Sequence, residues 1–194
     1  MVVVTDRADD AALVVRARAE LAGGSHAAFG ELYRRHSGEV FRFVRKLSGD
    51  DALADDVVQD TFLRVLRSLE RFDERRAFRP WLARIARNAA FDALRERQKL
   101  TGGRELSESA EPETGSRIGE RVAGLEAAAL ARAALDDLPD EQRALLLQRH
   151  QLGLTQVELA ESWQVSERTI RNRLNAAVKA LTQALLARRV GGAL

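Results

Sequence analysis

The sequence contains no cysteine and is poor in proline and aromatic residues, with three prolines, two tryptophans and one tyrosine among 194 residues. A chain without cysteine has no disulfide framework, thiolate metal site or thiol nucleophile, which favours a reducing cytoplasm. The apolar start at residues 1–4 is too short for a signal peptide, and no apolar run approaches membrane-spanning length. No alternating run is long enough to predict a β-strand. These absences favour an all-helical protein without membrane insertion.

Charge is distributed unevenly along the chain. The net charge is only +2, so the chain is not a polycation. Five aspartates lie within residues 50–60 without a single base, whereas residues 168–189 hold six bases and no acid. Blocks of opposite sign indicate separate partners.

We predict two small helical domains joined by a flexible linker. The linker, residues 100–121, holds four glycines, three serines and one proline, with five glutamates against three arginines. Such a composition buries too little apolar surface to offset chain entropy. The predicted divisions are an N-terminal segment with a short helix (1–24), a first domain (25–99), the linker and a second domain (122–190).

Residues 78–99 are predicted to form a helix with two different faces. Pro80 suits its first position, where a missing N–H costs nothing. The apolar stripe comprises Leu82, Ile85, Ala86, Ala89 and Ala93. The polar stripe comprises Arg84, Arg87, Asn88, Phe91 and Arg95. Arginines bind phosphates, a ring stacks on bases and an amide reads base edges, so this stripe indicates a nucleic-acid interface. A plain solvated helix face is the alternative.

The second domain carries a helix-turn-helix pattern. Thr155 and Glu158 fit a capping box, and Val157, Leu159, Ala160 and Trp163 are expected on or near the buried side of the helix that follows. Ser166 is predicted to cap a long basic helix. On that helix Arg171, Asn172 and Asn175 are expected to be exposed, and these residue types pair with guanine and adenine edges. An ordinary helical hairpin with a basic outer face remains open.

A third predicted helix, residues 51–69, exposes Asp56, Gln59 and Asp60. This face is best explained as a protein-docking surface. A solvated face and a divalent metal site are weaker alternatives, because a metal would need more oxygen ligands than this face offers. His36 falls in the apolar helical series from Phe29 to Val44 and is expected to be a core or rim histidine rather than a ligand. No metal and no cofactor are predicted.

Together these motifs resemble bacterial sigma factors. The segments ADDVVQDTF (54–62) and WLARIARNAAFDALR (81–95) look like region two, and residues 138–181, LPDEQRALLL through GLTQVELAESWQVSERTIRNRL, resemble region four. Only a short linker separates the two regions, and in this arrangement the chain is similar to the extracytoplasmic-function (ECF) group. The resemblance covers about residues 10–98 and 122–187.

The resemblance implies a role for each set of residues. Asp56, Gln59 and Asp60 match the face that docks on the clamp helices of the polymerase β′ subunit, and the β flap is a second implied contact. The residues implied at the melted minus-ten element are Phe78, Trp81, Arg84, Arg87, Asn88, Phe91 and Arg95, with Phe78 and Trp81 placed to pack or stack and core packing favoured for Trp81. Those implied at the minus-thirty-five element are Arg168, Thr169, Arg171, Asn172 and Asn175. The acidic linker resembles the segment that threads the polymerase cleft.

The sequence departs from the family pattern at two places. Gln164 stands where the turn usually has glycine, so a positive φ there would cost about 1 kcal/mol. Residues 175–178, NAAV, replace the usual Arg-Ala-Arg cluster, which puts the strength of minus-thirty-five binding in doubt.

The expected function is therefore a cytoplasmic, non-enzymatic sigma factor that directs core RNA polymerase to promoter DNA and assists strand opening. An anti-sigma factor is a further candidate partner. The alternative is a stand-alone helix-turn-helix regulator, which would leave the acidic face and the arginine stripe without a role. An enzyme is disfavoured, because the three histidines lack paired carboxylates in the local sequence and no phosphate-binding glycine loop is present.

Overall fold

The structure is a computed structural model that describes residues 7–100 and 118–191. Within those ranges the chain forms α-helices, one short 3₁₀ helix at Leu69–Arg71 and turns, with no β-strand. The helices are α1 (Arg7–Ala22), α2 (Ala27–Ser48), α3 (Asp51–Ser68), α4 (Phe78–Leu100), α5 (Ile118–Asp136), α6 (Asp140–His150), α7 (Gln156–Trp163) and α8 (Glu167–Gly191). The all-α fold class predicted from the sequence is confirmed.

Helices α1 to α4 form the first domain. The core is built by α2, α3 and α4, with Phe43, Val65 and Ala86 almost fully buried. Helix α1 packs on α2 and adds Leu13 and Val14 to the same core. The N-terminal helix is thus an integral part of this domain.

A buried polar pair also joins α1 to α2. Nε2 of His36 lies 3.0 Å from Oδ2 of Asp10, and both side chains are nearly inaccessible to solvent. The His36 ring also lies 5.4 Å from the ring of Phe78 at the start of α4. His36 is therefore the core residue that its position in an apolar series predicted.

Helices α5 to α8 form the second domain, and this domain packs on the first. Helix α7 lies against α4, and α6 lies against α2. Leu152 and Leu154, in the loop between α6 and α7, are buried in an apolar cluster continuous with the first-domain core. The two domains thus share one core in this structure.

Two local predictions need correction. Helix α4 begins at Phe78, which makes Pro80 its third residue; a proline is still tolerated there because the first N–H groups of a helix have no internal acceptor. Helix α5 begins at Ile118, inside the predicted linker; residues 101–117 of that linker lie outside the described residues.

Candidate nucleic-acid interfaces and docking face

Helix α4 is oriented by its apolar stripe. Leu82, Ala86 and Ala89 are buried against α2 and α3, while Ile85 and Ala93 are only partly buried. This anchoring leaves the side chain of Asn88 exposed to solvent. The amide lies on the surface of a helix whose opposite face is fixed in the core, and its Oδ1 accepts a hydrogen bond from Nη2 of Arg87 at 3.1 Å.

The other members of the polar stripe differ in exposure. Arg84 and Phe91 are half-buried, and Arg95 is exposed with Nη1 3.6 Å from Oδ1 of Asp92. Arg87 is only 8% exposed. The sequence predicted a continuous exposed stripe. The stripe is interrupted at Arg87, because the second domain covers this side chain.

Phe78 and Trp81 belong to an aromatic cluster at the start of α4. Phe78 is 3% exposed, and its ring centroid lies 5.8 Å from that of Trp81. Trp81 is half-buried and packs at 4.7 Å on Phe72, which follows the 3₁₀ helix. Both rings hold the N-terminus of α4 in place. A direct contact between Phe78 and a base would require the Phe78 side chain to leave the core.

The covered guanidinium of Arg87 contacts α7. Its Nη1 donates to the carbonyl of Ser162 at 3.3 Å, and its Cζ lies 4.2 Å from the ring centroid of Trp163. Burial, with smaller contributions from the nearby charges of Arg84 and Arg173 and opposed by Glu141, lowers the pKa of Arg87 to about 10. Arg87 is thus a cation held without a paired carboxylate among the described residues.

The helix-turn-helix of the second domain has the predicted local structure. The Thr155 side chain accepts from the N–H of Glu158, and the Glu158 carboxylate accepts from the N–H of Thr155, which completes the capping box. Gln164 ends α7 in the left-handed conformation, with φ 55° and ψ 42°. Oγ of Ser166 then accepts from the N–H of Thr169 at 3.2 Å and caps α8.

Helix α8 presents its polar residues outward. Ile170 and Ala177 are completely buried and fix the rotation of the helix. The exposed residues of its first three turns include Arg168, Arg171, Asn172 and Asn175, and Thr169 is half-buried. The structure therefore brings the predicted base-reading side chains to one end of an anchored helix. Val157, expected near the buried side of α7, is instead 59% exposed.

The acidic face of α3 is exposed as predicted, but one carboxylate is already paired. Asp56 and Gln59 are open to solvent. Asp60 is half-buried, and its Oδ2 lies 2.8 Å from Nη2 of Arg64. Sequence reasoning missed this pair, although the spacing of four residues on one helix could have indicated it.

Sequence reasoning also missed two residues that join the domains. Gln148 is completely buried; its Nε2 donates to the carbonyl of Ala83 on α4 at 2.9 Å, and its Oε1 accepts from Nε1 of Trp163 at 2.7 Å. Nη2 of Arg79 donates to the carbonyl of Leu152 at 2.7 Å. No sequence signal identifies the contacts between the domains, because Gln148 lies 65 residues from Ala83 and Arg79 lies 73 residues from Leu152.

Within the described ranges, no cluster of three or more His, Asp or Glu side chains is arranged to hold a metal ion. No helix in the same ranges is long and apolar enough to cross a membrane.

Comparison with known proteins identifies both domains. The chain matches the family model for Sigma-70 region 2 over residues 32–100 and that for Sigma-70, region 4, over residues 128–181. The ECF RNA polymerase sigma factor SigL of Mycobacterium tuberculosis is 32% identical over 153 residues, which cover 77% of this chain and 84% of SigL. RNA polymerase sigma factor NccH of Alcaligenes xylosoxydans xylosoxydans is 33% identical over 187 residues, covering 94% and 97% of the two chains.

Solved structures show the same architecture. CnrH, in complex with the cytosolic domain of CnrY, aligns with a TM-score of 0.66 at 27% identity, over 92% of this chain and 98% of CnrH. The sigma factor RpoE of Bartonella quintana, in complex with the anti-sigma factor NepR, aligns with a TM-score of 0.65 over 81% of this chain and 96% of RpoE. At 20% identity, the RpoE match supports the fold alone.

The matches to Sigma-70 region 2 and then region 4 in one chain define a promoter-recognition subunit of RNA polymerase. The chain belongs to the ECF group of RNA polymerase sigma factors. It directs core polymerase to promoters and assists strand opening at transcription initiation. Members of this family are initiation factors and not enzymes.

Proposed function

We propose that this sigma factor uses three separate surfaces for its three tasks. The α4 surface, with Arg84, Arg87, Asn88, Phe91 and Arg95, captures the melted strand of the minus-ten element. The α8 surface, with Arg168, Thr169, Arg171, Asn172 and Asn175, reads the minus-thirty-five element as duplex DNA. The α3 surface, with Asp56, Gln59 and Asp60, docks on the clamp helices of the β′ subunit, and the second domain contacts the β flap.

The exposure of Asn88 is the observation that carries the minus-ten assignment. Its neighbours Ala86, Ala89 and Ala90 are all buried, so the helix is anchored while this amide stays in solvent. Unpairing a base costs a few kcal/mol, and a protein site that receives the extruded base offsets part of that cost. A rigid helix that holds an amide beside arginines suits this task, because it binds both a base edge and the strand phosphates.

The geometry of α8 supports duplex recognition by the second domain. Arg171, Asn172 and Asn175 are exposed on a helix whose N-terminus is capped by Ser166. A recognition helix of a helix-turn-helix enters the major groove with its N-terminal residues against base edges. Arg168 lies nearest that terminus and would contact phosphates.

The proposed setting is the cytoplasm, with core polymerase and promoter DNA as partners and no catalysis by this chain itself. An anti-sigma factor is a further proposed partner, because CnrH was solved in complex with the cytosolic domain of CnrY. A stand-alone regulator is not favoured, because it would give the acidic α3 surface no function.

Transcription in vitro with core polymerase and a library of genomic fragments tests the proposal. We expect a discrete set of start sites, each preceded by two sequence elements at a constant spacing and absent when the sigma factor is omitted. Start sites identical to those of core polymerase alone would contradict the proposal. Tight and sequence-specific binding to duplex DNA without polymerase would support the stand-alone regulator instead.

A further inference from the structure

One side chain of α1 binds the loop that precedes α4. This α3–α4 loop comprises residues 69–77, from the 3₁₀ helix to the start of α4. The guanidinium of Arg18 donates from Nε to the carbonyl of Leu69 at 2.8 Å and from Nη2 to the carbonyl of Glu70 at 2.9 Å. Nη2 also donates to the carbonyl of Phe72, and Nη1 donates to the carboxylate of Glu74. Arg18 thus holds a loop whose residues lie 51 to 56 positions away along the chain.

The arrangement of these acceptors suits an arginine in particular. The last carbonyls of a helix have no N–H partner within it, and a cation beside them interacts favourably with the helix dipole. A guanidinium carries five N–H donors in a planar fork, so it can bind several carbonyls at once. A lysine has the same charge on a single nitrogen and cannot span acceptors that are spread over a loop. The contacts of Arg18 therefore depend on the fork and not on the charge alone.

The α3–α4 loop is also folded by its own contacts. The carboxylate of Asp73 accepts from the N–H of Arg75 at 3.1 Å, and the carbonyl of Asp73 accepts from the N–H of Arg76 at 2.9 Å. These hydrogen bonds shape the turn without joining it to another helix. Arg18 supplies that connection, because it joins the backbone of the loop to α1.

Phe72 connects the position of the loop to the surface of α4. Its side chain is 4% exposed, and its ring centroid lies 4.7 Å from that of Trp81. Trp81 is half-buried, and Arg84 and Asn88 follow it at the spacing of one helix face. Trp81 therefore lies at the N-terminal end of the α4 surface that the proposed function assigns to the melted strand.

We propose that Arg18 is a positioning residue for promoter opening, because it fixes the α3–α4 loop and, through Phe72, the ring of Trp81 that borders the strand-capture surface. The proposal rests on the proposed role of α4 in strand capture. The melted strand then meets a surface whose N-terminal end is already ordered, so that binding does not have to order the loop as well. If loss of the Arg18 fork leaves the loop correctly placed about one time in ten, the apparent affinity for the strand falls about tenfold.

Hydrogen exchange in the full-length chain tests whether Arg18 fixes the loop. Arg18→Lys keeps the charge and removes the fork, and Arg16→Lys makes the same change at an exposed position of α1. We expect amide exchange within residues 69–77 to be at least about tenfold faster in Arg18→Lys and unchanged in Arg16→Lys. Equal exchange rates in the wild type and in Arg18→Lys would overturn the proposal.

Tryptophan fluorescence tests whether the loop positions Trp81. The chain has two tryptophans, so Trp163→Phe leaves Trp81 as the only indole. In that background Arg18→Lys should shift the emission to longer wavelength and increase its quenching by acrylamide, because the ring loses its fixed contact with Phe72. Arg16→Lys should change neither. Unchanged emission and quenching in Arg18→Lys would overturn the connection from the loop to Trp81.

Transcription from a paired promoter and from one mismatched at the minus-ten element tests the role in opening. Arg18→Lys should bind core polymerase normally and open the paired promoter about tenfold less well, with a smaller defect on the mismatched template. Ala17→Gly removes a buried methyl group beside Arg18 and weakens α1 without changing the loop contacts. This variant should melt at a lower temperature and open promoters normally. Opening defects that follow the melting temperature alike in both variants would make Arg18 merely structural and would overturn the proposal.

Failure of this proposal and failure of the proposed function give different results. If Asn88→Ala opens promoters normally, the assignment of α4 to strand capture is wrong. If Asn88→Ala is defective while Arg18→Lys opens promoters as the wild type does, α4 keeps its role and the positioning role of Arg18 is wrong.

Discussion

Nη1 of Arg64 on α3 lies 2.8 Å from Oδ2 of Asp92 on α4, and Nη2 of the same guanidinium lies 2.8 Å from Oδ2 of Asp60. The hydrogen bond to Asp92 has the largest effect on the pKa of Arg64 and raises it, and the hydrogen bond to Asp60 raises it further. All three side chains are partly exposed, so each pair contributes only about 0–1 kcal/mol to stability. The network connects the proposed docking helix to the proposed strand-capture helix and fixes the position of Asp60.

The docking prediction therefore concerns Asp56 first, because Asp60 is already paired within the chain. Asp56→Arg should weaken binding to core polymerase at least about tenfold, or about 1.4 kcal/mol, since it places a cation against a basic surface. Titration of labelled protein with core polymerase at two salt concentrations measures this. Glu96→Arg, an equal charge reversal at an exposed position on α4, should bind normally; equal losses in both variants would argue against a specific docking face.

The upstream element is tested on α8. Arg171→Ala and Asn172→Ala should each cost about 1–3 kcal/mol of discrimination at one base position, because each removes a base-edge contact. Arg168→Ala should weaken binding evenly across sequences and reduce its salt dependence. Promoter-variant transcription provides the measurement, with Gln183→Ala as an exposed control further along α8. The assignment is wrong if all three variants keep wild-type promoter choice and occupancy.

Strand capture is tested at Asn88. Asn88→Ala removes an exposed amide, so the domain should fold and bind polymerase but lose promoter opening. The defect should be smallest on a template already mismatched at the minus-ten element, where unpairing is not required. Transcription from paired and mismatched templates checks this.

The control for Asn88→Ala is a core residue of the same helix. Leu82→Ala removes a side chain that is 4% exposed and should cost about 2–5 kcal/mol of stability, which impairs every function together. Ile85 is only half-buried and is the poorer control. An Asn88→Ala defect of equal size on both templates would rule out strand capture.

The pKa of Arg87 predicts how stability depends on pH. Burial lowers this pKa to about 10, so above pH 10 the folded chain loses the proton while the unfolded chain keeps it. The contribution of Arg87 to the free energy of unfolding therefore rises with pH above 10, by at most about 1.4 kcal/mol per pH unit. Comparing unfolding of the wild type with that of Arg87→Met at pH 8 and above 10 isolates this contribution. A stability difference that is independent of pH would contradict it.

The turn of the helix-turn-helix stores backbone strain at Gln164. A non-glycine residue at positive φ costs about 1 kcal/mol, so Gln164→Gly should stabilise the second domain by up to about that amount. Glu161→Gly, inside α7, should instead destabilise it by about 1 kcal/mol. Thermal melting of both variants measures whether each is more or less stable than the wild type. If both are less stable, the Gln164 side chain stabilises the domain by more than its backbone strain costs.

Much of the local structure followed from the sequence because its causes are local. The capping box at Thr155, the cap at Ser166 and the positive φ at Gln164 each depend on a few neighbouring residues, and all three are confirmed. The apolar periodicity correctly indicated all-α domains and which face of α4 is anchored. The segments that resembled sigma regions two and four were confirmed by the family matches.

Tertiary structure alone decided which polar side chains are covered. Periodicity places Arg87 on the outer face of α4, but α7 arrives there from about 70 residues away and buries it. The same packing buries Gln148, and exposes Val157 despite its apolar side chain. A sequence pattern specifies the two faces of a helix. What finally lies against the polar face depends on the free energy of packing distant helices together, which no local pattern encodes.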